Sequence, residues 1–254
     1  MKRLLVTSDD FGMCHAINDG TVRAMRGGIV RSTNLMAPCP WFQEAAQLSR
    51  RHDLPTGVHL TVTCEWDLYR WRPLTNARGL CAEDGGMPRS HERLALTATT
   101  DELRAEFAAQ IEAVERAGLR ITHLDTHMLP PGAGAPHALR VQALARELAE
   151  RLAVPFTYEW RDERSLHFRD MLEISTFDEE AIWGKLATWS EPGDYALSGH
   201  AACAAEELRH LDSRDEAWSE RYRVRDLAFF TATATLEHLT AQGFTLVGIG
   251  ELFR

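Results

Sequence analysis

Short apolar runs alternate along the chain with stretches in which apolar residues recur every three or four positions, a pattern that predicts strands and helices in turn. The run Arg3-Leu4-Leu5-Val6 predicts a first strand that stops at Asp9-Asp10-Phe11-Gly12, where the glycine can turn the chain. His15–Arg26 carries Ile17, Val22 and Met25 at helical spacing and ends at Gly27-Gly28. Ile29–Met36 predicts strand two, closed by Pro38 and Pro40, and Trp41–Arg51 a helix. Gly57–Thr63 predicts strand three, with Val58, Leu60 and Val62 on one face and His59, Thr61 and Thr63 on the other.

Periodicity then disappears from Cys64 to Thr99. A connection this long is a functional loop or a disordered one, and Trp66, Tyr69 and Trp71 argue for order. These aromatics can stack on a sugar ring or pack against the scaffold. Beyond them, Asp101–Ala117 reads as a helix capped by Thr100 or Asp101, and Arg120–Asp125 as strand four with Thr126-His127 at its end. Pro130-Pro131-Gly132 makes a turn, Pro136–Leu152 a helix and Val154–Tyr158 strand five. Arg161–Thr176 has only a weak pattern; Asp178–Ser190 is helical, and Tyr195–Ser198 is strand six, delivering Gly199-His200. Asp212–Asp215 reads as loop, Arg225–Gln242 as one helix and Phe244–Ile249 as the last strand. This alternation of strands and helices, about seven times over, predicts an α/β fold with a mostly parallel sheet, closed or nearly closed into a distorted (β/α) barrel. At 254 residues the chain suits one such domain over 1–254, with the 64–99 loop near its mouth.

Composition narrows the partners. Acidic residues outnumber basic ones, 37 against 28, so nothing attracts the protein to nucleic acid or to an anionic membrane. The five cysteines form no close pair, which argues against a disulfide framework or a thiolate zinc site. With no signal peptide and no run apolar enough to span a bilayer, the expected compartment is the cytoplasm. Barrel enzymes often dimerise, so a homodimer is also among the expectations.

The candidate chemistry lies at strand ends. In parallel α/β folds, sites form where strands turn into helices, and Asp9, Asp10, Asp125, His127 and His200 all fall there, with His59 nearby. Adjacent Asp9 and Asp10 are compatible with an exposed turn or with a cleft where a cation, a shared proton or donors compensate them. Carboxylate oxygen and neutral imidazole from separate strands can make the three-ligand open site of a catalytic divalent metal. Counting in twos, His123, Asp125 and His127 share a face, which brings Asp125 close to a metal held by His127. Asp10-Phe11-Gly12 matches the kinase magnesium motif, but no phosphate loop or catalytic loop accompanies it. Ser198 lacks the Gly-x-Ser-x-Gly setting of a serine hydrolase.

Ser8-Asp9-Asp10-Phe11-Gly12, Gly57-Val58-His59-Leu60-Thr61-Val62-Thr63 and Thr122-His123-Leu124-Asp125-Thr126-His127 together resemble the YdjC-like carbohydrate deacetylases. The likeness extends through Val30–Met36 and Gly250-Glu251-Leu252. The resemblance implies a distorted barrel and one divalent metal ion, magnesium or zinc, held by Asp10, His59 and His127. It also implies removal of an acetyl group from an N-acetylated sugar, with Asp9 as general base and His200 as acid or oxyanion partner. Asp125, His123, Trp66 and Trp71 then stand behind the ligands or against the substrate. The chain departs from the family pattern at Met128-Leu129-Pro130-Pro131 and at Ala201-Ala202, positions that line the metal and follow the late histidine. Another amide or ester hydrolase and a catalytically silent sugar-binding relative are the alternatives.

Overall fold

Leu4 to Phe11 are buried without interruption, which makes the first strand, β1 (Lys2–Phe11), the centre of the sheet. The computed structural model describes residues 1–129, 136–157, 168–211 and 219–253. The other strands are β2 (Ser32–Leu35), β3 (Thr56–Leu60), β4 (Ile121–Thr126), β5 (Asp170–Glu173), β6 (Gly193–Gly199) and β7 (Phe244–Leu246). Their order is β4-β3-β2-β1-β6-β5, all pairs parallel. β7 runs beside Lys2–Leu4 of β1, and β2 takes over from Thr7.

Parallel neighbours need crossovers, and helices supply them. They are α1 (His15–Gly27), α2 (Phe42–His52), α3 (His91–Thr97), α4 (Thr100–Arg116), α5 (Pro136–Leu152), α6 (Glu179–Ala187), α7 (Glu206–Arg209), α8 (Glu220–Thr231), α9 (Thr233–Ala241) and α10 (Ile249–Leu252). One apolar core joins β2–β4 to α2, α4 and α5, through Leu35, Val58, Leu124, Phe107 and Leu144. A second joins β1, β5 and β6 to α6, α8 and α9, through Val6, Leu172, Leu197, Leu186 and Phe230. No helix among the described residues is long and apolar enough to cross a membrane.

Several sequence expectations change. The stretch read as strand five contributes one bridge, Phe156 to Leu124, and the fifth strand is instead Asp170–Glu173. That strand is four residues long and carries an acid at each end, so no apolar run advertises it. Because β4 and β5 do not pair among the described residues, the sheet is open rather than closed. The helix expected over 225–242 starts earlier and breaks at Ala232, where the backbone is extended; Ile29 N–H donates to the Phe230 carbonyl just before the break, at 2.9 Å. No glycine or proline marks that break. The cap of α4 is Thr99, in a reciprocal box with Glu102.

The aperiodic 64–99 connection is ordered in the structure. Trp71, Leu80, Met87 and Leu94 are buried, Cys64 N–H donates to the Pro88 carbonyl, and α3 forms near its end. The Pro130–Gly132 turn, the Asp212–Asp215 loop and Tyr158 lie outside the described residues.

Two register shifts shape the strand ends. Between Ser8 and Phe11, β1 holds one more residue than β2 does between Thr33 and Leu35, and Asp10 takes a left-handed φ of 65°. A bulge of this kind re-aims side chains that strict alternation would send to opposite faces. The strand therefore runs through the two acids instead of stopping at them. In β4 the extra residue falls between Ile121 and Leu124, opposite Thr56–Val58.

Candidate metal centre

The bulge in β1, the end of β3 and the residue after β4 bring Asp10, His59 and His127 together, all buried. Asp10 Oδ1 lies 3.7 Å from His59 Nε2 and 3.4 Å from His127 Nδ1, and the two imidazole nitrogens are 3.3 Å apart. Asp10 Oδ1 makes no hydrogen bond among the described residues, although a buried carboxylate oxygen is expensive without a partner. A triangle with these sides has a circumradius of about 2.0 Å, the length of a zinc–imidazole or zinc–carboxylate bond. The donor set thus fits a small divalent cation, with one anionic oxygen and two imidazole nitrogens, of which His127 Nδ1 must first give up a proton.

Two of the three donors are held from behind, whereas His59 Nδ1 is buried with no hydrogen-bond partner among the described residues. His127 Nε2–H donates to Glu65 Oε2 at 2.9 Å, which turns Nδ1 toward Asp10. Arg223, 1% exposed, donates through Nη2 to Asp10 Oδ2 at 2.7 Å and leaves Oδ1 to face the histidines. Burial alone would raise the Asp10 carboxyl, but Arg223, His200 and His127 outweigh it and hold Asp10 well below the carboxylate range. His59 is pushed well below its ordinary value by burial and then by the His127 charge, so it stays neutral. His127 goes the other way: burial lowers it, but Glu65 and Asp10 together lift it to about 10.

A second group stands beside the first. Atoms of Asp9, Glu173 and His200 that could each act as a ligand lie within 4.8 Å of one another. His200 Nε2 is 3.9 Å from Asp10 Oδ2, while Nδ1–H donates to Ser175 Oγ at 2.9 Å and lies 3.5 Å from Glu173 Oε1. Ser175 in turn donates its hydroxyl proton to Asp226 Oδ2, which also accepts the His200 backbone N–H at 3.0 Å. Burial lowers His200, but Glu173 and Asp10 overcome it and raise it to about 9. Asp9 is raised by burial, with His200 opposing and Glu173 and Asp10 adding to the rise.

The YdjC-like family model matches residues 3–241. The chain belongs to the YdjC-like family. A carbohydrate deacetylase of Brevibacillus brevis is 32% identical over 264 residues, 98% of this chain and 99% of its own. A chitooligosaccharide deacetylase of Yersinia enterocolitica is 34% identical over 131 residues, 51% of this chain and 52% of its own. Among solved structures, an Enterococcus faecalis protein provisionally described as a cellobiose-phosphate cleavage protein superposes with a TM-score of 0.82. It is 23% identical and covers 100% of this chain and 99% of its own, so it supports the fold alone.

In this YdjC-like protein His123 and Asp125 do not join the triangle. Both turn to Asn34: Asn34 donates through Nδ2 to Asp125 Oδ2 at 2.8 Å and accepts from His123 Nε2–H. Trp71 is 1% exposed; its indole donates to the Thr63 carbonyl and its ring lies 6.1 Å from that of His127, so it packs behind the site with no face for a sugar. Trp66 is half-buried and lies 5.8 Å from the Arg223 guanidinium. Six residues that sequence reasoning left without a role complete the site: Asn34, Glu65, Glu173, Ser175, Arg223 and Asp226. Asn34 and Glu65 were the most accessible, since Asn34 lies near the end of one expected strand and Glu65 just beyond the end of another. Glu173 sits on the strand that carries no apolar run, and Arg223 and Asp226 on a helix whose start was misplaced.

Proposed function

We propose that this protein is a metal-dependent deacetylase of N-acetylated amino sugars, a reading its named carbohydrate deacetylase relatives support. The observation that carries it is Asp9, an acid outside the donor triangle yet adjacent to Asp10, facing a histidine that holds its proton. A pure binding site gains little from such an acid. In the proposed chemistry Asp10, His59 and His127 hold the cation, which when bound lowers the pKa of a water and polarises the acetyl carbonyl.

The chain's own groups do the rest. Asp9 accepts a proton from the attacking water, a task suited to a carboxyl whose pKa burial has raised toward the working pH. His200, whose Nε2 lies 3.9 Å from Asp10 Oδ2, gives its Nε2 proton to the amine as the carbon–nitrogen bond breaks, releasing acetate and the free amino sugar. Ser175, Glu173 and Asp226 hold the imidazole in the orientation that presents Nε2 to the reaction.

The test is acetate release from a panel of N-acetylated sugars and chitooligosaccharides, with enzyme stripped by chelator and resupplied with magnesium or zinc. His127→Ala should lose bound metal and acetate release together; a variant that still releases acetate overturns the assignment. Turnover confined to other amides or esters moves the activity to a different acyl substrate. Tight sugar binding without turnover makes the protein a binding relative.

A further inference from the structure

We infer that Asn34 is the positioning residue for Asp9, clamping the base to Asp125 through one amide group that a chain of hydrogen bonds from β4 fixes in place. This rests on the proposed role of Asp9. Asn34 is fully buried on β2, and its Nδ2 donates one hydrogen to Asp9 Oδ1 and the other to Asp125 Oδ2. An NH2 group has two hydrogens, and both are used.

The amide turns its NH2 toward the two acids and its oxygen toward His123, whose Nε2–H it accepts. His123 therefore carries its proton on Nε2, and Nδ1 accepts the Thr122 hydroxyl at 2.8 Å. Burial keeps this imidazole neutral, lowering it to about 3. From Thr122 to Asp9 every donor meets an acceptor, and Asp9 Oδ2 is left for the reaction.

The sheet is adapted to this chain of bonds. Asn34 sits opposite Gly57 of β3, and a Cβ on Gly57 would lie 2.4 Å from His123 Nε2. The extra residue in β4 falls at 122–123, so the ring enters the gap that Gly57 leaves. A glycine, a bulge and three buried polar side chains are a costly way to fill a core that an apolar residue at position 34 would fill more simply. Their return is the fixed direction of one carboxylate. Asn34 has no contact with the donor triangle in the structure's hydrogen bonds, so its effect should fall on the base and not on the metal.

Three measurements decide this. With Asn34→Ala, kcat should fall about a hundredfold, the penalty of a catalytic group misplaced by about an ångström. KM and metal affinity, measured by titration of the stripped protein with zinc, should stay within about threefold. A structural role would instead reduce metal content or raise KM. In the relay itself, His123→Leu should reproduce much of the kcat loss and His123→Gln, which keeps an N–H near the Nε2 position, should restore most of it. Equal activity in the two overturns the clamp even if Asn34→Ala fails to fold. Independently of turnover, a crystal structure of Asn34→Ala or His123→Leu should show the Asp9 carboxylate rotated or disordered; an unmoved Asp9 overturns the inference. A wild-type enzyme inert on the whole sugar panel sinks the proposed reaction, whereas an active wild type with unimpaired Asn34 and His123 variants sinks only the clamp.

Discussion

Metal binding should expel one proton, and that proton should come from His127. In the metal-free protein His127 is lifted to about 10 by Glu65 and Asp10, so at neutral pH its Nδ1 carries hydrogen exactly where a cation needs a lone pair. Removing it at pH 7 costs about 4 kcal/mol, at about 1.4 kcal/mol per pH unit. The other donors add nothing to the count, because Asp10 is already ionised and His59 already neutral. Apparent affinity should therefore rise about tenfold per pH unit, or about a hundredfold between pH 6.5 and 8.5. Calorimetric titration of stripped protein in buffers of different ionisation enthalpy counts the released protons directly. Glu65→Gln removes the carboxylate that raises His127 most, so in that variant the slope should flatten above neutral pH. A pH-independent affinity in the wild type would show that His127 is neutral before metal arrives, and release of two protons would implicate His200 as well; either result refutes this account.

The same histidines predict how the metal-free protein responds to base. Their folded pKa values, about 10 for His127 and about 9 for His200, stand above the ordinary 6.5, so their contribution to stability is complete below about pH 6.5 and is lost as pH rises through 9 to 10. Urea unfolding of stripped protein should show a falling midpoint across that range, which His127→Gln should lessen. Glu173→Gln removes the carboxylate that raises His200 most, so the alkaline limb of the kcat profile should move to lower pH; an unmoved limb would separate Glu173 from the acid. Gly57→Ala forces its new methyl into the His123 ring and should destabilise the fold by about 1–3 kcal/mol. Thermal unfolding measures it, and a neutral effect would mean that the ring has room to move.

How much of this the sequence disclosed depends on what kind of signal each element sends. β1, β3 and the helix α5 announce themselves by apolar runs or stripes, and the acids and histidines at their ends are visible because strand ends are where such folds place chemistry. β5 sends no such signal: its acids are satisfied by tertiary partners, Lys185 and Trp189 for Asp170 and Ser198 for Glu173. The break between α8 and α9 is also tertiary, set where Phe230 meets the segment after α1. Asn34 looks like an ordinary strand-end residue until its neighbours two strands away are known. Trp71 shows the reverse case, an aromatic that the sequence left between a sugar platform and a packing role and that burial places as a wall.

The extra residue in β1 joins the two duties proposed for Asp9 and Asp10, which a regular strand would separate. With strict alternation, one of Asp9 and Asp10 would point into the apolar core, and a proton acceptor and a cation donor could not be neighbours in sequence. Placing them on consecutive residues means that any slip of this strand by one position removes both at once. Loss of activity by point substitution can therefore spare either partner, but loss by insertion or deletion here cannot, and a descendant that tolerates such a change would have to rebuild the whole reaction elsewhere.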